Sequence, residues 1–208
     1  MMSRKPNWII SPEKFLNDSE IAMLTKYLKE KSDLAKARGS IRPRIDGFII
    51  RLLLQTGLRV TSACTLKISN IHLKQKRLTV KAKGNKNGVI PISSSLAQAI
   101  HEYVNIVRPF LLKAKDKETL LLCETGKPYN RRSLYMKIRA IMTRAGLPRE
   151  KCHPHILRHT YCCMLYKNTR DLRLCQRMLM HANIQTTTAY SHVLDEDAQA
   201  AIEDTFHW

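Results

Sequence analysis

The chain has 208 residues, 44% of them hydrophobic, with 36 Lys and Arg against 17 Asp and Glu, giving a formal net charge of +19. That apolar content excludes a disordered polymer and fits one large domain or two small ones. The charge opposes compaction by self-repulsion and points to a polyanionic partner, nucleic acid ahead of an anionic membrane surface or a merely solvated basic face.

Residues 1–16 read as a short lead-in. Asn17 and Glu20 have capping-box spacing, and Ile21, Leu24, Tyr27 and Leu28 follow at helical spacing. A basic loop is expected over 36–44, with Gly39 and Pro43. A second helical stripe, Ile45, Phe48, Ile49, Leu52 and Leu53, stops at Gly57, and Thr61 or Ser62 is the expected cap of a short helix after it. The period changes over 77–92: two strands flank a glycine-rich turn at 84–88, and Pro91 argues for an edge position. The serines at 93–95 can cap a helix carrying Ile100, Tyr103, Val104 and Val107, ended by Pro109. A short apolar run at 120–123 and a turn at 125–128 lead to a strongly basic helix from Asn130 to Ala145, closed by Gly146. Helices are expected over 155–167, 171–180 and around 185–190, and an amphipathic piece over 195–205. The expected fold is one mainly α domain with a small β-hairpin or sheet.

The six cysteines, Cys64, Cys123, Cys152, Cys162, Cys163 and Cys175, are irregularly spaced. Cys152, His153 and His155 invite a zinc reading, but no CxxC or HxxxH pair supports it, so no metal is expected and the cysteines read as small buried hydrophobes. No apolar run approaches the ~18 residues of a membrane span, and no signal peptide is seen, so a cytoplasmic protein with reduced thiols is expected.

Unusual residues concentrate in two stretches. In Gln55-Thr-Gly-Leu-Arg-Val60, Arg59 projects from a backbone fixed by the helix-stopping glycine. In His153-Pro-His-Ile-Leu-Arg-His-Thr160, Pro154 suits a helix first turn, so His155 and Arg158 share one face near a helix N-terminus, where an imidazole, a guanidinium fork and unpaired amides suit an anion. Taken alone, Arg59 reads as a surface arginine, the HxxR pair as capping and surface charge, and Tyr190 as a core aromatic.

The ordered series is different. Thr56-Gly-Leu-Arg59, Ala82-Lys-Gly84, His155-Ile-Leu-Arg-His-Thr160, Leu179-Met-His181 and a tyrosine nine residues later, Tyr190, resembles the tyrosine recombinase (phage integrase) family over about 16–194. The resemblance implies the catalytic-domain fold of DNA breaking–rejoining enzymes, with 17–194 as the catalytic domain and 195–208 as a segment for contacts between protomers, where Ile202, Phe206 and Trp208 are anchor candidates. It implies that Arg59 and Arg158 hold the non-bridging oxygens of a scissile phosphate and that Lys83 protonates the departing 5′ oxygen. It further implies that His155 and His181 hydrogen-bond the phosphate, with His155 an acid–base aid to the tyrosine, and that Tyr190 attacks phosphorus to form a 3′-phosphotyrosyl link. Phosphoryl transfer needs positioning and neutralisation of equatorial charge, and a phenol of ordinary pKa near 10 needs help to attack. The link stores the phosphodiester energy, so no ATP, metal or other cofactor is expected.

By the same resemblance the basic helix enters the major groove, making Arg131, Arg132 and Lys137 DNA-contact candidates, with Lys81, Lys86 and Arg139 adding sequence-independent attraction. Expected partners are double-stranded DNA, a homo-tetramer on it and accessory DNA-bending proteins, with no membrane. The chain looks like the short family members, such as those that invert promoter segments for fimbrial phase variation, and a truncated integrase from a mobile element fits equally. It departs from the family pattern at Ser62, where an acidic residue is usual, and at Met180, where glycine is usual. The competing reading is a DNA-binding regulator or accessory protein of the same fold without chemistry; retention of every catalytic group weighs against it.

Overall fold

The computed structural model describes residues 12–37, 39–81, 87–111 and 118–179. Helix α1 (Asp18–Ala37) starts at the expected capping box: Asn17 Oδ1 accepts the Glu20 N–H at 2.8 Å, and Glu20 Oε2 accepts the Asn17 N–H at 2.8 Å. Helix α2 (Arg42–Thr56) begins inside the stretch expected to be a basic loop. Pro43 lies in its first turn, where a missing N–H costs nothing. Helix α3 (Val60–Cys64) is capped by Arg59 in extended backbone, not by Thr61 or Ser62. The turn at Gly57 and Leu58 is so tight that the chain re-enters helix at once, and the Ala63 N–H reaches the Arg59 carbonyl at 2.9 Å.

Three antiparallel strands follow, β1 (Ile71–His72), β2 (Arg77–Lys81) and β3 (Asn87–Pro91), ordered β1-β2-β3, with Leu78 opposite Ile90. Pro91 sits on the edge strand, as its missing donor requires. Residues 82–86, between β2 and β3, lie outside the described residues, and the last two residues of the turn expected at 84–88 belong to β3. Strand β1 escaped the sequence reading because two residues show no alternation.

Helix α4 (Ser94–Glu102) is capped by Ser93 Oγ, which accepts the Leu96 N–H at 3.1 Å. Helical backbone then runs on past the expected stop, as a π turn over Tyr103–Val107 and a 3₁₀ turn over Arg108–Leu111. Pro109 sits near the start of that new turn and breaks no needed bond, while the buried Arg108 guanidinium donates to the Thr119 carbonyl at 2.9 and 3.1 Å. Helix α5 (Arg131–Arg144) has Asn130 as cap, its Oδ1 accepting the Ser133 N–H at 2.8 Å. Helices α6 (Pro154–Thr169) and α7 (Leu172–Leu179) close the described chain.

Helix α2 is central, packed by α1, α4, α5 and α6, and its Phe48 stacks on Tyr103 with ring centroids 4.0 Å apart. Met23 and Leu34 of α1, Tyr135 and Met136 of α5 and Met164 of α6 stay exposed; most other apolar residues of these helices turn inward onto one core that also takes Leu78 and Ile90 from the sheet. A smaller cluster joins Cys162 and Cys163 of α6 to Cys175 and Leu179 of α7. Leu16, read as lead-in, is 2% exposed and part of the main core, its N–H bonded to Thr160 Oγ1 at 2.9 Å. No described helix is long and apolar enough to cross a membrane.

Candidate active site

The end of α2, the start of α5 and the first turns of α6 meet at one place. Gly57 ends α2 with φ +60°, a left-handed conformation natural to glycine. A Cβ there would lie 2.5 Å from Tyr161 Cδ1. Gly57→Ala is therefore expected to lower stability by about 2–3 kcal/mol, read by denaturant unfolding, from φ strain and a steric clash together.

Two residues on, Arg59 is exposed, and its side chain makes no hydrogen bond or ion pair among the described residues. Pro154 occupies the first turn of α6, as expected, and His153 at its cap supplies no side-chain acceptor to the first-turn amides. His155 is exposed, whereas Arg158, one turn along, is buried. The Arg158 guanidinium donates from Nη1 to the Gly57 carbonyl and from Nη2 to the Leu179 carbonyl. Arg59 and Arg158, 99 positions apart in sequence, are thus brought to the same helix end.

Electrostatics report the same convergence. Partial burial, then the charges of Arg158, Arg59 and Arg131, hold the His155 imidazolium below the ordinary histidine range. His153 is shifted the same way by burial and by His155, its ring 6.4 Å away, and His159 is pushed down to about 4, chiefly by burial. His155 is therefore neutral at pH 7 and able to accept a proton. In Arg59→Gln its titration midpoint, followed by NMR in the free protein, is expected to rise toward 6.5, because a repelling charge is gone. An unchanged midpoint would place Arg59 away from His155.

The DNA-contact candidates divide. Arg131 and Arg132 are exposed in the first turn of α5, and Arg131 lies close enough to act on His155. Lys137 is only 19% exposed at its side chain, and its ammonium meets Asp46 at 2.7 Å and Glu124 at 3.5 Å. Its present contacts tie α5 to α2. The other basic-helix candidate, Arg139, is half-buried. Cys152 is buried, its thiol directed at the Leu147 and Pro148 carbonyls and not at the neighbouring histidines. Lys83, Lys86, His181 and Tyr190, with Met180 and the anchors Ile202, Phe206 and Trp208, lie outside the described residues. The reading of the sequence missed Arg131 as a neighbour of His155, and the two carbonyls that hold Arg158. The first had a signal, since Asn130 caps α5 just before it; main-chain carbonyls leave none.

Residues 14–197 match the model of the phage integrase family. The chain belongs to that family. Its fold, mostly helical with a small three-stranded antiparallel sheet, is that of the tyrosine recombinase catalytic domain. The tyrosine recombinase XerD of Staphylococcus saprophyticus is 33% identical over 166 residues, covering 80% of this chain and 55% of that protein. That of Haemophilus ducreyi is 33% identical over 189 residues, covering 89% and 62%. Among solved structures, the XerA recombinase superposes with a TM-score of 0.75 at 23% identity, over 98% of this chain and 68% of that one. The XerH site-specific recombinase in a pre-cleavage complex with difH gives 0.70 at 27% identity, over 89% and 52%. The chain thus spans a little over half the length of the curated relatives it matches.

Proposed function

We propose that this chain is the catalytic portion of a site-specific DNA recombinase that cleaves and rejoins duplex DNA through a 3′-phosphotyrosyl intermediate. The observation that carries this reading is the convergence of Arg59, His155 and Arg158, with Arg131 beside them, at the end of α2. Two guanidiniums at one point suit the equatorial oxygens of a phosphate in transfer, the negative charge being met by forks already in place. A neutral His155 beside them receives the proton of the attacking phenol. Tyr190 is the nucleophile, Lys83 the acid for the leaving 5′ oxygen, and His181 a further donor to the phosphate. Proton and charge are all handled by side chains, so neither metal nor ATP enters the scheme.

Residues 17–194 form the catalytic unit in this proposal, and 195–208 reach a neighbouring protomer in a tetramer assembled on DNA, helped by accessory bending proteins. Arg131, Arg132 and Lys86 contact the duplex; Lys137 joins them only by leaving Asp46. The protein acts in the cytoplasm, and the outcome is integration, excision or inversion of a segment. Support comes from the +19 charge and from the XerH relative having been seen bound to its DNA substrate.

The test is covalent trapping. Duplexes tiled from the DNA flanking the gene, each nicked beside the candidate cleavage position so that religation fails, are incubated with the protein in chelator and without nucleotide. A denaturation-resistant protein–DNA adduct is expected with wild type and none with Tyr190→Phe. Tight binding without any adduct would turn the reading to a DNA-binding regulator.

A further inference from the structure

Arg158 has a second job besides facing a phosphate. It is 8% exposed, and its two terminal nitrogens point to different helices. Nη1 serves the carbonyl of Gly57, the left-handed cap of α2, and Nη2 the carbonyl of Leu179, the last residue of α7. Both carbonyls lie at helix C-termini, where acceptors lack intrahelical donors and the aligned peptide dipoles gather negative charge. A guanidinium with five N–H groups in a planar fork can serve both at once and still present its positive charge; an ammonium is a point charge and cannot. Tyr161 packs at the same junction: a Cβ on Gly57 would meet its ring at 2.5 Å and Leu179 Cδ2 at 3.1 Å. Gly57, Leu179 and Tyr161 therefore surround one guanidinium.

We propose that Arg158 is also a positioning residue, whose bridge between the Gly57 and Leu179 carbonyls fixes the end of α7 against the end of α2. Helix α7 has eight residues, far too few to hold helical structure unaided. Apart from the bridge, it is docked through Cys175 and Leu179 onto the small cluster with Cys162 and Cys163. The chain after Leu179 leads directly to His181 and Tyr190, so the bridge sets the point from which that segment departs. In this way the side chain assigned to the phosphate also fixes the helix end that precedes the nucleophile in the chain. The relevance to catalysis rests on the function proposed above; the bridge itself does not.

Amide hydrogen exchange on the free protein tests it. In Arg158→Lys, exchange of amides 176–179 is expected to accelerate at least ten-fold, while amides 49–53 in the core of α2 keep their wild-type rates. His155→Gln, which leaves the bridge in place, is expected to show wild-type exchange throughout α7. Equal α7 exchange in wild type and Arg158→Lys would overturn the proposal. Should that variant not fold, wild type decides: scalar couplings across the hydrogen bonds, from the Arg158 Nη atoms to the carbonyl carbons of Gly57 and Leu179, are expected, and freely rotating, averaged Nη signals would overturn it. No DNA is involved, so failure here leaves the recombinase reading standing, and a missing DNA adduct beside an intact bridge counts against that reading alone.

Discussion

Arg158→Ala is expected to lower strand cleavage by about 10²–10³-fold, as loss of one preplaced donor to a developing oxyanion does in other enzymes. The loss falls on the chemical step. Binding of nonspecific duplex is expected to change little, since one cation is removed from the 36 Lys and Arg of the chain. The same substitution leaves the Gly57 and Leu179 carbonyls without their donor, which costs about 1–3 kcal/mol for each group that stays buried. Cleavage is therefore to be measured below the onset of unfolding, against a thermal melt of the same sample. A proportional loss of cleavage and duplex binding would remove Arg158 from its assigned role.

The second large effect lies just before α6, in the 3₁₀ turn Arg149–Lys151. Lys151 Nζ sits 2.8 Å from both carboxylate oxygens of Glu20, and the two residues are 8% and 9% exposed. This pair joins the capping box of α1 to the 3₁₀ turn that launches α6. Lys151→Met strands a buried carboxylate and is expected to destabilise the fold by about 3–5 kcal/mol in denaturant unfolding. Adding Glu20→Gln to it is expected to restore much of that loss, because two uncharged partners need no compensating charge. A double variant no more stable than Lys151→Met would show that the ion pair is not the origin of the effect.

These two arginine and lysine sites show what the sequence could and could not convey. Asn17 and Ser93 are legible as caps because each bond closes within three residues, so spacing alone specifies it; Asn130 closes the same kind of bond, but the sequence reading puts it inside the helix that it caps. Thr61 and Ser62 failed as caps because a glycine turn four or five positions earlier had already redirected the chain, and Arg59 took the cap in extended backbone. The convergence of Arg59 with His155 and Arg158 followed from an ordered motif series, not from any local pattern. Lys137 looked like Arg131 and Arg132 because all three are cations on one basic helix. What separates them is Asp46 and Glu124, carboxylates supplied by other parts of the chain. The buried Lys151 looked like any surface lysine for the same reason: its partner is 131 residues away. The anchoring of Arg158 uses main-chain carbonyls, which every residue has and no sequence marks.

In the proposed function one tyrosine becomes bonded to DNA in a site made by Arg59, His155 and Arg158. Peptide mapping of the trapped adduct after protease and nuclease digestion tests it most directly. A single modified peptide is expected, carrying a nucleotide through its 3′ phosphate on Tyr190. A nucleotide on any other residue, or a 5′-phosphate linkage, would contradict it.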